Sequence, residues 1–324
     1  RLGTRGVNPV DYDRDGDVDV FVNNYHLHRN FMFRNLGEGE VEEVAFDVGV
    51  AGDTSGPVLN PYFGVPYSTT YGHSVGSAWG DLDNDGDFDL IVANLAHPRF
   101  YDFSDKTQVY IQGEDGTLTD TQGDWAYPWG DAGIRFSEGH FSPVLGDIDH
   151  DGALDLAIST AYYGRATDFY WGQGDGTFKL DTYRAGIVLE GGLCMTAGDM
   201  DNDGDLDVTS NGPLWSNDMP NKGAWLQVRV VGNVEANRAG IGSTVRVQAG
   251  DISRVSHVTG GSGYGCQNSL ITHFGLAEAT VVDSVEVEFP GGKKVTYEGP
   301  FDANQRLWVF EDGSVSPGWA PPEE

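Results

Sequence analysis

The sequence predicts an all-β protein, in which a β-propeller is followed by a small β-sandwich-like domain. One observation is an acidic motif, D-x-D-x-D-G-x-x-D, that occurs four times before residue 210. The other is the regular alternation of short apolar runs with Gly, Pro, Asn and Asp, which is typical of strands joined by turns. We assign residues 1–220 to propeller blades, 221–312 to the second domain and 313–324 to a flexible tail.

The four copies of the motif begin at Asp11, Asp81, Asp147 and Asp199. Three carboxylates at alternate positions, a glycine that permits a sharp turn and a last carboxylate suit a hard cation that prefers oxygen ligands. The motif therefore predicts about four bound Ca2+ ions. The predicted metal-site residues occupy positions one, three, five, seven and nine of each copy: Asp11, Asp13, Asp15, Asp17, Asp19, Asp81, Asp83, Asp85, Asp87, Asp89, Asp147, Asp149, Asp151, Ala153, Asp155, Asp199, Asp201, Asp203, Asp205 and Asp207.

The motif differs from an EF-hand at its C-terminal end. An EF-hand loop ends in a glutamate at its twelfth position and continues into a helix. Here the twelfth positions hold Val22, Val92, Ile158 and Ser210. A short run rich in β-formers comes after each last Asp, so each loop is predicted to be a calcium clip between two strands.

The spacing of the motifs indicates the unit that is repeated. The loop starts are 70, 66 and 52 residues apart, in the range of one four-stranded propeller blade with insertions. A Gly-Asp-Gly turn at 174–176 is a hairpin signal, because both residue types tolerate positive φ. The third repeat shows the unit most clearly, with strands predicted at 139–146, 154–160, 167–171 and 177–181.

The first and fourth repeats are incomplete. The fourth has a second strand and a third at 214–217 but no outer strand, and the chain begins already in an inner strand. Either four blades close by themselves, or the chain is part of a longer one. We favour the second explanation, in which a separate N-terminal fragment or a partner chain completes the propeller, because an unpaired edge invites strand pairing.

The residues after 220 are also predicted to be β. Short alternating runs separated by Gly, Pro, Asn or Asp suggest a small sandwich. The glycine-rich stretch 260–265 lacks the Lys and the following helix of a phosphate-binding loop, so we interpret it as a turn between strands. The seven predicted strands are 226–231, 244–248, 253–258, 270–274, 284–289, 293–297 and 307–310.

These residues carry a resemblance to known families. The repeats resemble FG-GAP or VCBS repeats, the calcium-binding blades also found in integrin α-subunits. Residues 224–311 resemble the ASPIC and UnbV domain, which follows such blades in the cartilage-acidic-protein-like family. That second resemblance is carried by NRAGIGSTVRV from Asn237, GGSGYGCQN from Gly260, HFGL from His273 and FPGGK from Phe289, although Cys266 stands where the family more often has Ser. The resemblance implies a secreted adhesion or matrix-type protein without turnover.

Blade geometry separates two faces of the propeller. The metal loops all join a first strand to a second and lie on one face, whereas the remaining connections lie on the other. We predict a ligand site on that other face, where insertions at 56–73 and 123–140 are rich in aromatic residues. The candidate ligand-face residues are His26, His28, His73, His97, Arg99, Trp125, Tyr127, Trp129, Arg135, His140, Tyr162 and Arg165.

Composition limits the compartment and the partners. Four divalent ions would change the formal net charge of −31 by 8, to −23, which excludes nucleic acid as a partner. No apolar stretch approaches the roughly 18 residues that a membrane-spanning helix needs. We expect Cys194 and Cys266 to be unpaired thiols, with one disulfide between the domains as the alternative.

These observations support three functional hypotheses. The first is a secreted or otherwise extracellular (periplasmic or cell-surface) recognition or adhesion protein, stabilised by calcium, that binds a protein or glycan through the face opposite the metal loops. The second is a sugar- or polysaccharide-acting enzyme of the lyase or dehydratase type, although no acid and base can be paired by spacing and no catalytic residue is assigned. The third is a subunit of a larger extracellular assembly.

Overall fold

The computed structural model describes residues 3–53, 58–59, 66–67, 70–96, 104–123, 129–187, 190–220 and 222–320. The described chain is almost entirely β, with one short helix, α1 (Thr182–Ala185). The prediction of propeller blades followed by a second β domain is confirmed. Within these ranges, no helix is long and apolar enough to cross a lipid bilayer.

The first three blades are four-stranded antiparallel sheets whose strands follow chain order. Blade one contains β1 (Gly3–Val10), β2 (Asp19–Tyr25), β3 (Phe31–Asn35) and β4 (Val41–Glu43). A small sheet of β5 (Val58–Leu59) and β6 (Pro66–Tyr67) precedes blade two. Blade two contains β7 (Ser74–Gly80), β8 (Asp89–Asn94), β9 (Gln108–Gln112) and β10 (Leu118–Asp120). Blade three contains β11 (His140–Gly146), β12 (Asp155–Thr160), β13 (Asp168–Gly172) and β14 (Phe178–Leu180).

Blade four has three strands in the described part of the chain. They are β15 (Thr196–Gly198), β16 (Asp207–Thr209) and β17 (Leu214–Trp215). The inner strands β1, β7, β11 and β15 lie side by side in chain order. Apolar clusters join neighbouring blades, and they include Phe21 with Phe88, Ile91 with Ile158, and Trp171 with Met195.

The second domain is a sandwich of two four-stranded sheets. One sheet has the order β21-β18-β24-β25 and the other the order β20-β19-β22-β23. Apolar residues that point inward from both sheets, such as Leu226, Val245 and Phe289, form one buried cluster. The strands are β18 (Ala224–Val231), β19 (Thr244–Ala249), β20 (Ile252–His257), β21 (Ile271–Ala277), β22 (Val281–Phe289), β23 (Lys293–Asp302), β24 (Gln305–Phe310) and β25 (Val315–Pro317).

The end of the chain corrects one prediction. The flexible tail assigned to 313–324 is wrong for residues 315–317, which form β25 and pair with β24. The next described residues are also held, because the Trp319 ring lies 5.8 Å from the ring of Trp225 and 4.6 Å from the Arg306 guanidinium. The sequence of this segment is rich in Pro and acidic residues and carries no strand pattern. The strand forms because it pairs with the edge of β24.

The glycine-rich segment, residues 260–266 between β20 and β21, enters the space between the inner strands of the blades. The Gly263 N–H donates to the carbonyl of Ser77 in blade two at 2.8 Å, and the Tyr264 N–H donates to the Ser142 hydroxyl in blade three at 3.2 Å. A Cβ added to Gly6 of blade one would lie 3.0 Å from the Gly263 carbonyl oxygen. This segment is therefore a turn, as predicted, and it also docks the second domain at the centre of the propeller.

A disulfide fixes this docking covalently. Cys194, just before β15, is bonded to Cys266 of the glycine-rich segment, with Cα atoms 5.8 Å apart. The expectation of two unpaired thiols is therefore wrong, and the alternative of a disulfide between the domains is correct. The sequence separation of 72 gave no signal for the pair, because the proximity of the two cysteines arises from domain docking.

Candidate metal centres

The four acidic loops share one backbone conformation. Each loop joins the first strand of a blade to its second, and its glycine has a positive φ between 91° and 101°. The N–H of that glycine donates to one oxygen of the first Asp at 2.9–3.2 Å in every loop. The other oxygen of the first Asp is thereby aimed at the inside of the turn.

The last Asp of each loop fastens the loop to its blade. In blade two, the Leu82 N–H donates to Asp89 Oδ2 at 2.7 Å, and the Gln112 N–H at the end of the third strand donates to Asp89 Oδ1 at 2.8 Å. Asp19, Asp155 and Asp207 accept the equivalent pairs of backbone N–H groups. Both oxygens of this carboxylate therefore hold the backbone.

Carboxylates converge inside all four loops. One oxygen from each of three residues lies within 4.8 Å of the others, and these residues occupy positions one, three and five in loops one, two and four. In loop three the group consists of positions one, three and nine instead. The converging residues are Asp11, Asp13 and Asp15; Asp81, Asp83 and Asp85; Asp147, Asp149 and Asp155; and Asp199, Asp201 and Asp203.

Buried oxygens without partners indicate that a cation fits the first three loops. Oδ1 of Asp11, Asp81 and Asp147 is buried and has no hydrogen-bond partner. Oδ1 of Asp13 and Oδ1 of Asp149 are likewise buried without a hydrogen-bond partner. Carboxylate oxygens are the ligands that Ca2+ prefers, and an unpartnered buried carboxylate is costly without a cation. These residues are therefore suited to hold the ion.

The pKa values of the first carboxylates reflect the same burial. Burial raises the pKa of Asp11 to about 6, although the Gly16 N–H opposes the shift. Burial, with repulsion from neighbouring carboxylates, raises the pKa of Asp81 to about 7 and that of Asp147 to about 8. A bound divalent cation would favour the ionised forms that burial disfavours.

Two of the side chains at position seven are paired with cations of the chain. Asp87 pairs with Arg14 of loop one, and Asp205 pairs with Lys222. Ala153 has no polar side chain, and its N–H donates to Asp151 Oδ1 at 2.8 Å. At this position, the backbone carbonyl is the group left to serve as a ligand, as in related calcium loops.

The sandwich domain covers the face that carries the loops, here called the metal-loop face. It contacts each loop at the glycine in position six. The Gly291 N–H donates to the Gly16 carbonyl, Arg246 Nη1 donates to the Gly86 carbonyl at 3.1 Å, and His273 Nε2 lies 3.0 Å from the Gly204 carbonyl. The Arg254 guanidinium packs against Gly152, where an added Cβ would meet it. The sequence did not predict this docking.

Some candidate ligand-face residues form a buried hydrogen-bonded cluster on the opposite face. His140 Nε2 lies 3.1 Å from Asp168 Oδ2, and His140 Nδ1 lies 2.7 Å from the Thr107 hydroxyl. Arg135 donates from two nitrogens to the two oxygens of Asp168. Burial raises the pKa of Asp168, but hydrogen bonds from His140 and Arg135 outweigh it and hold the pKa at about 2. The hydrogen bond between His140 and Thr107 joins this ion-paired cluster of blade three to blade two.

A second group of side chains packs together near the starts of the inner strands β7 and β11. His73 Nδ1 lies 3.1 Å from the Ser104 hydroxyl, and the His73 ring packs edge-on against Tyr25. Tyr264 reaches this end from the sandwich domain and packs on Phe141 at a centroid distance of 4.8 Å. Tyr162 borders the same apolar cluster. Sequence reasoning missed Tyr264, because its motif belongs to the other domain.

The remaining candidates on this face are more exposed. Trp129 is 44% exposed, and its backbone pairs with that of Arg135. Arg165 is exposed and donates to Glu138 at 3.3 Å, and His26 and His28 are also exposed. Tyr163, which the sequence also places on this face, is 95% exposed. His97, Arg99, Trp125 and Tyr127 lie outside the described residues.

The blades and their acidic loops define the chain as a β-propeller protein. Its loops are of a kind suited to bind cations, and a β-sandwich domain follows the propeller. Residues 11–92, 81–158 and 147–210 match the family described as FG-GAP-like repeat, and residues 233–316 match ASPIC and UnbV. The repeat matches together cover more than half of the chain. The chain therefore belongs to the FG-GAP-like repeat family and carries an ASPIC and UnbV domain.

Two curated proteins show more distant similarity over most of the chain. Cartilage acidic protein 1 of Xenopus tropicalis is 26% identical over 312 residues, and that of Homo sapiens is 27% identical over 321 residues. Each alignment covers 91% of this chain but only 43% and 42% of the respective relative. The chain thus spans less than half of the length of these relatives.

Two solved structures are similar at low scores. A lectin of Agrocybe aegerita that recognises non-reducing terminal N-acetylglucosamine has a TM-score of 0.36 and 17% identity, covering 67% of this chain and 50% of its own. The V. cholerae biofilm matrix protein Bap1 has a TM-score of 0.32 and 12% identity, covering 99% of this chain and 62% of its own.

Proposed function

We propose that this chain is an extracellular recognition or adhesion module of the cartilage-acidic-protein type, stabilised by Ca2+ and binding a protein or glycan through the face opposite the metal loops. The observation that carries the calcium part is the set of buried, unpartnered carboxylate oxygens in loops one to three, including Asp11 Oδ1 and Asp81 Oδ1. A divalent cation satisfies such oxygens and offsets the repulsion among them. The disulfide supports an oxidising compartment.

The position of the sandwich domain supports the choice of face. That domain contacts the glycines of all four loops, so the metal-loop face is largely committed to contacts within the chain. The opposite face carries the exposed aromatic side chains of Trp129 and Tyr163. Exposed aromatic residues are suited to stack on sugars or to anchor a protein partner.

The buried cluster on that face favours recognition over catalysis. His140 and Asp168 are 1% and 3% exposed, and His140 has a protein partner at both ring nitrogens. A general acid or base has to reach a substrate proton, and these two side chains reach only each other and their neighbours. Their role is to hold the blades together beneath the binding face.

A larger assembly is the second candidate function, and the edge of blade four favours it. β17 is the last strand of its sheet in the described residues, so one side of it carries no ladder partner there. A groove of about 250 Å³ beside it is lined by Ile187, Trp215 and Met219. A free edge next to an apolar groove suits an added strand. Light scattering of the purified chain, alone and at increasing concentration, distinguishes a monomer from an assembly.

Calcium dependence is tested by thermal unfolding of metal-stripped protein. We expect the Tm to rise on addition of CaCl2 and to fall again with EDTA, because a ligand that binds only the folded state stabilises it. MgCl2 at the same concentration should have a smaller effect, since Mg2+ dehydrates reluctantly and demands octahedral geometry. An unchanged Tm in all three conditions would refute the calcium part of the proposal.

The binding face is tested by a pair of tyrosines with matched exposure. Tyr163 on the opposite face is 95% exposed, and Tyr183 is 97% exposed in α1, whose Arg184 contacts Asp149 of a metal loop. The two Tyr→Ala variants and the wild type are screened against arrays of oligosaccharides and of extracellular-matrix proteins. We expect Tyr163→Ala to weaken capture at least severalfold while Tyr183→Ala does not. The reverse result would move the binding face to the metal loops.

A further inference from the structure

We infer that the fourth metal loop, residues 199–207, binds Ca2+ more weakly than the first three, because Arg306 and Lys222 already compensate its carboxylates. This inference rests on the proposed calcium binding of the loops and names the two side chains that set the affinity of one of them. Arg306 lies in β24 of the sandwich domain, and Lys222 lies in the segment that leads to β18. Occupancy of the fourth loop is thereby linked to docking of that domain.

Both oxygens of the first carboxylate of the fourth loop accept hydrogen bonds from the protein. Asp199 Oδ2 accepts the Gly204 N–H at 3.1 Å, as its counterparts do in the other loops. It also accepts Gln227 Nε2 at 2.8 Å and lies 3.4 Å from Arg306 Nη2. Asp199 Oδ1 accepts the Asn202 N–H at 2.7 Å. An entering Ca2+ ion has to displace or share these donors.

The corresponding carboxylates of loops one to three are in a different state. Oδ1 of Asp11, Asp81 and Asp147 is buried without a hydrogen-bond partner. In these loops, the N–H of the loop glycine donates to Oδ2 at 2.9–3.2 Å. A cation therefore gains more at these three sites than at Asp199, where donors are already in place.

Arg306 is held rigidly at the fourth loop. Its side chain is 5% exposed, its Nε donates to Gln227 Oε1 at 2.8 Å, and its Nη1 donates to Asn202 Oδ1 at 3.2 Å. The guanidinium also lies over the ring of Trp319. A buried, fixed positive charge next to a cation site repels the cation more strongly than an exposed one does.

Lys222 adds a second positive charge at the fourth loop. Its Nζ pairs with Asp205 and donates to the Asn217 carbonyl at 2.9 Å, and both side chains of the pair are 12% exposed. Asp201 and Asp203 are close enough to Lys222 to interact with it electrostatically. The loop carboxylates thus face two cations of the chain itself.

Cations near the third loop are placed differently. Arg184 pairs with Asp149 Oδ2, but its side chain is 51% exposed and Asp149 Oδ1 is left without a partner. Arg254 lies against Gly152 and interacts electrostatically with Asp147 and Asp151, but its Nη1 donates to the carbonyl of Ser253. Neither side chain takes the oxygens that point into the turn, so the third loop remains open to an ion.

The expected binding isotherm has two phases. Isothermal titration of metal-stripped protein with CaCl2 should show three ions per chain in a tighter phase and one ion in a phase at least tenfold weaker. Asp201→Asn should remove the weak phase and leave three tight ions. Asp149→Asn should instead remove one tight ion, because its Oδ1 is one of the unpartnered oxygens.

Charge removal tests the cause. Arg306→Gln and Lys222→Gln should each tighten the weak phase severalfold and leave the tight phase unchanged. Lys222→Gln tests the same cause independently, because Lys222 lies outside β24 and its substitution leaves the buried contacts of that strand in place. The matched control is Arg184→Gln, which removes a cation paired with a carboxylate of loop three at an exposed position and should alter neither phase measurably.

Two results would overturn the inference. Four ions of equal affinity in the wild type would show that Arg306 and Lys222 do not discriminate the fourth loop. A fourth site that weakens further in both Gln variants would show that these residues support the ion rather than replace it. An absence of calcium binding at every loop would instead refute the proposed function on which the inference rests.

Discussion

The indole of Trp225 lies directly on the backbone of Gly204, so a methyl group at position 204 would overlap the ring. Gly204 is the sixth residue of the fourth metal loop and has a φ of 101°, whereas Trp225 belongs to the first strand of the sandwich domain. One glycine thus meets two demands. The turn needs a residue that adopts positive φ, and the neighbouring domain needs a surface without a side chain.

This contact predicts that Gly204→Ala is more destabilising than a glycine substitution with the same backbone strain. The matched control is Gly39→Ala, because Gly39 has a φ of 84° and an added Cβ would meet no atom within 4 Å. We expect Gly39→Ala to cost about 1 kcal/mol, and Gly204→Ala to cost roughly 1–3 kcal/mol more because the ring has to move. Urea denaturation of both variants in CaCl2 measures the difference. Equal losses would mean that the two domains do not touch at this position in solution.

The blades could be predicted because their signals are local. The motif starting at Asp147, the turn at 174–176 and the apolar runs between them lie within one unit, and strands β11 to β14 match the prediction to within one or two residues. The oxygen-rich interior of the loops could be predicted for the same reason. Each depends on residues at most a few positions apart in the chain.

The docking of the sandwich domain could not be predicted, because no local pattern records it. Arg306 and Asp199 are 107 residues apart, and the pairing of Cys194 with Cys266 spans 72 residues. The motif around His273 was visible, but nothing in it indicates that the imidazole contacts the carbonyl of Gly204. Such contacts depend on the relative placement of two domains, which sequence periodicity does not specify.

The disulfide between Cys194 and Cys266 should stabilise the whole chain. It closes a long loop. In the chain-entropy model, the lost conformational entropy raises the free energy of the unfolded state by roughly 4 kcal/mol. We expect the Cys194→Ser/Cys266→Ser double variant to lose about 2–4 kcal/mol of unfolding free energy in urea denaturation. Addition of a reductant to the wild type should produce the same loss and should have no effect on the double variant.

Two other outcomes of the disulfide experiment are informative. A loss confined to the sandwich domain, seen as a separate first transition, would show that the bond mainly holds the domains together. A reductant-sensitive wild type whose double variant is fully stable would contradict the entropic account, because both proteins lack the cross-link in that comparison.

Without metal, the unfolding free energy should fall as the pH rises. Burial raises the pKa of Asp11, Asp81 and Asp147 to about 6, 7 and 8 in the folded chain, compared with 3.8 for the unperturbed group. The folded state therefore binds protons that the unfolded state releases above about pH 4. The stability that these protonated groups provide is fully present below the unfolded pKa and is lost as the pH rises through the folded pKa values.

Saturating calcium should abolish this decline, because bound ions keep the same carboxylates ionised in the folded state. Urea denaturation at a series of pH values between about 5 and 8, with metal-stripped protein and with CaCl2, checks both curves. The apparent affinity for calcium should also weaken toward the acid end, where protons compete for the ligands. Parallel curves in the two conditions would mean that these aspartates do not bind the ion.

The two oxygens of Asp89 predict a stabilising role that is independent of metal. They accept the backbone N–H groups of Leu82 and Gln112 at 2.7 and 2.8 Å, and the residue is fully buried. Asp89→Asn replaces one acceptor with a donor that faces an N–H group, so we expect a loss of roughly 1–3 kcal/mol even in metal-stripped protein. The control is Asp85→Asn in the same loop, because Asp85 is exposed and lies in the group of converging carboxylates. That variant should weaken calcium binding and leave the unfolding free energy of metal-stripped protein within about 0.5 kcal/mol of the wild-type value.

One outcome would contradict this role of Asp89. If both variants lost stability only in the presence of CaCl2, Asp89 would be a metal ligand and not the residue that fastens the loop to its blade.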